Sequence, residues 1–154
     1  MHRRKRKVMA LKVYLDSCCY NRPFDTQTQL RITMETQAKL MIQEFVSSGN
    51  IELVSSFVVA YEQSRNPFQE RKESIINFIK RYATVIVDSD KIREIRDLAG
   101  PVMETGIKRL DAYHIACALY AGCNCLLSVD DRLLKYRTEK MQLMNPIDFI
   151  KSWR

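Results

Sequence analysis

Five short β-prone runs, spaced along the chain with helical stretches between most of them, constrain this sequence more than any other feature. They are Val13-Tyr14-Leu15, Ile51-Glu52-Leu53-Val54-Ser55, Thr84-Val85-Ile86-Val87-Asp88, Cys125-Leu126-Leu127-Ser128-Val129 and Gln142-Leu143-Met144. Parallel strands need a crossover of roughly a dozen residues, and a helix is the usual one. Short strands alternating with helical stretches therefore predict an α/β fold with a mainly parallel central sheet. With four Gly and four Pro in 154 residues, there is little material for a turn-rich sandwich or a linker. The length suits one domain, expected over residues 9 to 154 behind an arm at 1 to 8.

The intervening stretches carry helical periodicity. From Thr28 to Ser48 apolar residues recur three or four apart at Leu30, Met34, Ala38, Met41, Ile42 and Phe45, and Ser48-Gly49-Asn50 stops the pattern. Ser55-Ser56 offers an N-cap to a helix carrying Phe57, Val58, Tyr61 and Glu62, which Asn66-Pro67 ends. Further helices are predicted over Phe68 to Tyr82, over Asp90 to Met103 as one helix or a pair broken at Gly100-Pro101, and over Asp111 to Ala121. The small residues after Asp16, with Asn21-Arg22-Pro23, predict a loop.

Charge narrows the function classes less than the pI of about 9.3 suggests. Five of the 25 basic residues are Arg3, Arg4, Lys5, Arg6 and Lys7, which leaves 20 against 18 acids in the rest of the chain. A polyanion partner does not follow from so small an excess. The arm itself reads as a nucleic-acid or localisation patch, a start-site artefact ahead of Met9, or a solvated, disordered tail. No apolar stretch approaches the 18 or so residues of a membrane span, and no secretory apolar segment follows the charge run. Five cysteines, an odd number, suit free thiols in a reducing compartment, so the expected setting is cytoplasmic with no membrane partner. Cys123-x-Cys125 lacks the further pair that a zinc site needs.

Ligands of such sheets bind beyond the carboxyl ends of the strands. Asp16 and Asp130 follow the first and fourth runs, Asp111 opens the helix before the fourth, and Glu62 lies about two turns into the helix after the second. If the two strands are neighbours, all four acids can face one crevice. Carboxylates about 4 Å apart repel by ~1 kcal/mol per pair in water and about four times that at an effective dielectric of 20, which a cation offsets. Oxygen donors without His or Cys favour Mg²⁺ or Mn²⁺, whose common use in such a pocket is phosphoryl transfer.

In order along residues 11 to 150, Val13-Tyr14-Leu15-Asp16, Ser55-x6-Glu62 with Asn66-Pro67, Leu110-Asp111-Ala112-Tyr113-His114-Ile115-Ala116-Cys117-Ala118 and Leu126-Leu127-Ser128-Val129-Asp130 resemble the PIN-domain ribonucleases, including the VapC-like toxins. The third piece is the most specific. The resemblance implies a three-layer α/β/α PIN-like domain in which Asp16, Glu62, Asp111 and Asp130 hold one or two Mg²⁺ or Mn²⁺ ions to cleave single-stranded RNA. It also implies an antitoxin protein whose segment occludes the acids. Asp131 is an adjacent, auxiliary acid, and Ser128 stands where the family often has Thr or Ser to orient a carboxylate or water. Cys18, Cys19 and the stretch Asn21 to Asp25 depart from the family's pattern.

Each residue also has a plainer reading. Asp111 suits the first turn of any helix, Asp130 suits an N-cap, and His114 reads as a hydrogen-bonded interior histidine. Arg65 beside Asn66 is an auxiliary candidate for touching substrate; Lys108 and Arg109 read as solvated or phosphate-facing. Three functions are weighed. The first is the metal-dependent endoribonuclease. The second is a non-catalytic PIN-like nucleic-acid or protein-binding module, whose signature would be a missing acid. The third, an aspartate-nucleophile phosphatase, expects Asp-x-Asp after strand one, where this chain has Asp16-Ser17-Cys18. Apolar surface on the Thr28 to Ser48 helix suits a homodimer.

Overall fold

The computed structural model describes residues 10–153; the expected arm at 1 to 8 lies outside them. Five strands form one sheet: β1 (Leu11–Leu15), β2 (Ile51–Ser56), β3 (Ala83–Val87), β4 (Cys125–Leu127) and β5 (Gln142–Met144). Their order is β3-β2-β1-β4-β5 and every neighbouring pair is parallel. The chain builds outward from β1 to β3, then returns to lay β4 on the other side of β1. The boundary between β1 and β4 is therefore the point where the winding reverses, and a crevice opens there beyond the strand ends. Val13 pairs with Cys125 and Leu15 with Leu127, which fixes the two strand ends side by side.

Seven helices surround the sheet: α1 (Ser17–Asn21), α2 (Leu30–Ser47), α3 (Phe57–Ser64), α4 (Gln69–Tyr82), α5 (Ile92–Glu104), α6 (Arg109–Tyr120) and α7 (Pro146–Ser152). Right-handed crossovers put α2 and α4 on one face, and α5 and α6 on the other. The result is the three-layer α/β/α architecture. Val13, Tyr14, Leu53, Val54, Leu126 and Leu127 are buried on both faces, as a doubly covered parallel sheet requires. The small residues Ala112, Ala116, Cys117 and Ala118 let α6 lie close on β2 and β4. Gly122 ends that helix with φ +73, a left-handed value that suits glycine. Among the described residues no helix is long and apolar enough to cross a membrane.

Two expectations about elements are corrected, and between one helix and a pair over Asp90 to Met103 the structure has the first. The predicted loop after Asp16 is helical, first α1 and then a 3-10 turn at Arg22–Phe24, because the Asp16 side chain caps Cys19 N–H and Pro23 sits in the first turn, where its missing N–H costs nothing. The Asp90 to Met103 stretch is one helix, α5, preceded by a 3-10 turn at Ser89–Lys91; it runs through Pro101 because Ile95, Ala99 and Val102 are buried in its packing on α6. The fourth strand stops at Leu127 rather than Val129, since Ser128 turns its hydroxyl back on the Asp130 N–H.

Candidate active site

Each acid reaches the crevice by a local device. The Asp16 N–H donates to the Leu127 carbonyl at 3.2 Å, so the chain leaves β1 still tied to β4. Its carboxylate Oδ1 then accepts from the Cys19 N–H at 3.4 Å and the Cys18 thiol at 2.7 Å. Burial pushes the Asp16 carboxyl up, against the pull of His114 and of hydrogen bonds from Cys18, Ser128 and Cys19. Ser128 is fully buried and its hydroxyl accepts from the Asp130 N–H at 2.9 Å. That hydroxyl also lies 3.5 Å from the Cys18 thiol that donates to Asp16, so Ser128 links the two strand-end acids through Cys18. Asp130 Oδ1 accepts from the Arg132 N–H at 2.9 Å, which holds the turn beyond β4; the N-cap reading is corrected, since the 3-10 turn at Leu133–Lys135 has Arg132 as its N-cap.

Glu62 is positioned from below. Ser56 caps α3 through its hydroxyl, which accepts from the N–H of Val58 at 3.1 Å and of Val59 at 3.5 Å. Two turns along, Glu62 Oε1 accepts from the Ser17 hydroxyl and pairs with His114 Nε2 at 2.8 Å. The other ring nitrogen of His114, Nδ1, meets the Tyr14 hydroxyl at 2.6 Å, and that hydroxyl meets Ser56 Oγ at 2.6 Å. A hydrogen-bonded chain thus runs from buried Ser56, Tyr14 and His114 out to half-buried Glu62 and Ser17. Burial works against charge on His114, but the hydrogen bond and charge of Glu62, with Asp16 and Asp111, outweigh it and raise its pKa. Burial likewise works against the Glu62 carboxylate, and His114 and Ser17 reverse this to lower its pKa. Each partner thus favours the charged form of the other, and His114 is the interior, hydrogen-bonded histidine of the plainer reading.

Asp111 sits in the first turn of α6 and makes no side-chain hydrogen bond among the described residues. Its carboxyl is pushed up first by burial and then by Asp130, Asp16 and Glu62, with His114 opposing. The charges of all four acids therefore act on one position. Their oxygens are not drawn into a tight cage: among the described residues the set of three ligand atoms within 4.8 Å of one another is Asp16, Cys18 and Cys19. Burial and the neighbouring Asp16 charge help hold both thiols well protonated, so these sulfurs are poor ligands as they stand. Hydrogen bonds on Glu62 and Asp130 fall on one oxygen of each, Oε1 and Oδ1, which keeps the second for another ligand. The donor set is oxygen-rich and short of positive charge, which suits a hard divalent cation.

The auxiliary residues divide. Ser128 lies among the acids. Asp131 turns away and forms a two-pronged pair with Arg31, at 2.9 and 3.0 Å. Arg65 sits at the end of α3 with a nitrogen 3.3 Å from the Tyr61 hydroxyl, over that ring rather than over the acids. Tyr14, Ser17 and Ser56 escaped the sequence reading as site residues. A signal existed for Tyr14: strand residues two apart share a face, so it and Asp16 lie on the same side of β1.

A five-stranded, all-parallel sheet wound in this order and flanked by helices is the PIN-like fold. Solved structures agree. A chain of VapBC2 from Rickettsia felis, bound to a fragment of promoter DNA, matches with a TM-score of 0.52 at 15% identity over 88% of this chain and 98% of that one. A chain of FitAB bound to the IR36 DNA fragment gives 0.56 at 18% identity over 88% and 95%. FitAcB from Neisseria gonorrhoeae gives 0.54 at 15% identity over 87% and 97%. At such identities the likeness is one of fold. No protein-family model and no curated protein matches the sequence.

Proposed function

We propose that this chain is a metal-dependent endoribonuclease that cleaves single-stranded RNA, and that it is the toxin of a toxin-antitoxin pair. The observation that carries the reading is the convergence of Asp16, Glu62, Asp111 and Asp130 at the β1/β4 reversal point, where the other three raise the pKa of Asp111 beyond what its burial does. These four side chains would hold Mg²⁺ or Mn²⁺. When bound, such an ion polarises a phosphoryl oxygen and lowers the pKa of a coordinated water. The protein's part is positioning. Ser128 holds the Asp130 N–H and meets the Cys18 thiol that donates to Asp16, and the Tyr14-His114 chain aims Glu62 and favours its ionised form. The acids favour the protonated form of His114, and that form in turn lowers the cost of Asp16, Glu62 and Asp111 being ionised near one another.

The test is cleavage of labelled single-stranded RNA with Mg²⁺ or Mn²⁺, comparing the parent, an EDTA control and Asp111→Asn. Cleavage that needs the metal and disappears in the variant is the expected result. Cleavage that survives both EDTA and Asp111→Asn would refute the site. RNA bound but never cut by a folded parent would assign the chain to the non-catalytic binding class instead.

The antitoxin partner is proposed on the same footing, since the structural neighbours come from the two-component assemblies VapBC2 and FitAB. A homodimer is proposed through α2, where Leu30, Met34 and Met41 share one exposed stripe. Light scattering on the isolated chain should return a dimer mass; a monomer mass would remove that proposal.

A further inference from the structure

Beside the acids, the turn from Thr105 to Lys108 and the segment from Arg132 to Lys135 face each other across a pocket of about 200 Å³. Its lining carries three cations, Lys108, Arg132 and Lys135, and one acid, Asp111. We infer that this pocket is a phosphate subsite, which grips a backbone phosphodiester of single-stranded RNA adjacent to the one held at the acids. The inference rests on the nuclease reading for the identity of the strand, and on the pocket's own chemistry for the rest.

The charge balance is the first ground. Arg132 spends part of its charge on Asp130, at 3.5 Å. Lys108 and Lys135 are exposed and make no ion pair among the described residues. Asp111 is the one acid of the lining against the two lysines and Arg132, so the pocket keeps an excess of positive charge that a phosphate offsets. The second ground is shape. Gly106 adopts φ +101, which suits glycine, and the wall it forms is bare backbone. At ~30 Å³ per water the pocket holds roughly seven, room for a phosphate group and a few waters. Position is the third. Lys108 is the N-cap of the twelve-residue α6 and makes no capping hydrogen bond with its side chain, so the amides of the first turn remain available to an anion. Asp111 belongs to both the pocket and the acid crevice, so one strand can occupy the two together.

The test is binding of a fluorescein-labelled short oligouridylate to the full chain in EDTA, measured by anisotropy across a salt series. The parent is compared with Lys108→Ala/Lys135→Ala and with Lys80→Ala/Lys151→Ala, which loses the same charge on other, exposed surfaces. One phosphate contact on a single strand contributes about 0.7 to the slope of log K against log salt. The pocket variant should lose about that much slope and bind about fivefold more weakly near ~0.1 M salt, while the control keeps the parent's slope. In cleavage assays its KM should rise by more than its kcat falls. Equal changes in both variants, or none in either, would overturn the subsite. So would poly-glutamate binding through the two lysines as tightly as RNA, which would give the pocket to an acidic protein segment. Metal-dependent cleavage with lysine-independent binding would sink the subsite and spare the nuclease; lysine-dependent RNA binding without cleavage would do the reverse.

Discussion

Tyr14→Phe isolates the buried chain beneath the acids. The hydroxyl it removes touches two groups, His114 Nδ1 and Ser56 Oγ, each at 2.6 Å. Their losses differ in size. Ser56 keeps its bonds to the amides of Val58 and Val59 and forfeits only a typical net hydrogen bond, about 0.5 to 1.5 kcal/mol. His114 is 1% exposed, so its Nδ1 is left without a partner or water, a cost of about 1 to 3 kcal/mol. Against these stands the relief of no longer burying the Tyr14 hydroxyl, whose own pKa burial pushes well up. A net loss of about 2 kcal/mol is expected. For a chain of this size that lowers Tm by about 4 to 8 °C. The assay is urea unfolding with thermal melts, and Tyr120→Phe, at an exposed tyrosine, serves as the reference with a change within about 0.5 kcal/mol. Adding Ser56→Ala closes a double-mutant cycle, in which the two changes should fall short of additive by at least about 0.5 kcal/mol. A Tyr14→Phe loss no larger than that of Tyr120→Phe, or strict additivity with Ser56→Ala, would show that the chain does not hold the site together.

Two further predictions concern charges away from the acids. Glu35 is buried and bonded to Arg22, Arg31 and Asn145; burial raises its carboxyl pKa, and these partners outweigh burial to hold it below the usual range. Its contribution is thus present above the ordinary glutamate value and is lost as pH falls through the depressed folded one, so Glu35→Gln should destabilise by about 2 kcal/mol at neutral pH and flatten the acid limb of the stability curve. An unchanged acid limb in urea melts would contradict this. Lys39 is 6% exposed, bonds Gln43 and pairs with no acid among the described residues, and burial pushes its ammonium down to about 8. Between about pH 8 and 10.5 the unfolded chain binds more protons, so stability should climb with pH there, and Lys39→Met should remove the climb and stabilise at neutral pH by about 1 to 3 kcal/mol. A flat parent profile over that range would count against the burial cost.

Local patterns made the frame of the fold legible, because parallel strands and their crossovers are written in contiguous residues. The run at Thr84 to Asp88 and the spacing of Leu30, Met34 and Ala38 on one helix depend on nothing far away. The misread segments are those where a side chain overrides the local signal. Asp16 reads as a strand terminus and is also the cap of α1, so small residues that suit a loop become a helix. Gly100-Pro101 left one helix and a broken pair both open, and burial of Ile95, Ala99 and Val102 against α6 outweighs the hydrogen bond that Pro101 lacks.

The candidate site was legible for a related reason. In a parallel sheet every strand presents its carboxyl end to the same side, so acids that end two strands converge once those strands are neighbours, whatever separates them in sequence. That geometry needs no knowledge of side-chain partners. The bonds that position the acids do need it: Tyr14 and His114 are 100 residues apart, and Ser17 and Glu62 are 45 apart. Which hydroxyl meets which ring depends on the depth at which α3 and α6 sit on the sheet, and core packing rather than motif sets that depth. The clue left in the sequence is a polar tip on an inward position: a tyrosine on the face of β1 that also bears Asp16 needs a partner once buried, and α6 supplies a histidine one turn beyond Asp111. The same ring that satisfies the tyrosine also bonds Glu62 at the site, so one side chain, His114, ties the buried core of β1 to the acids.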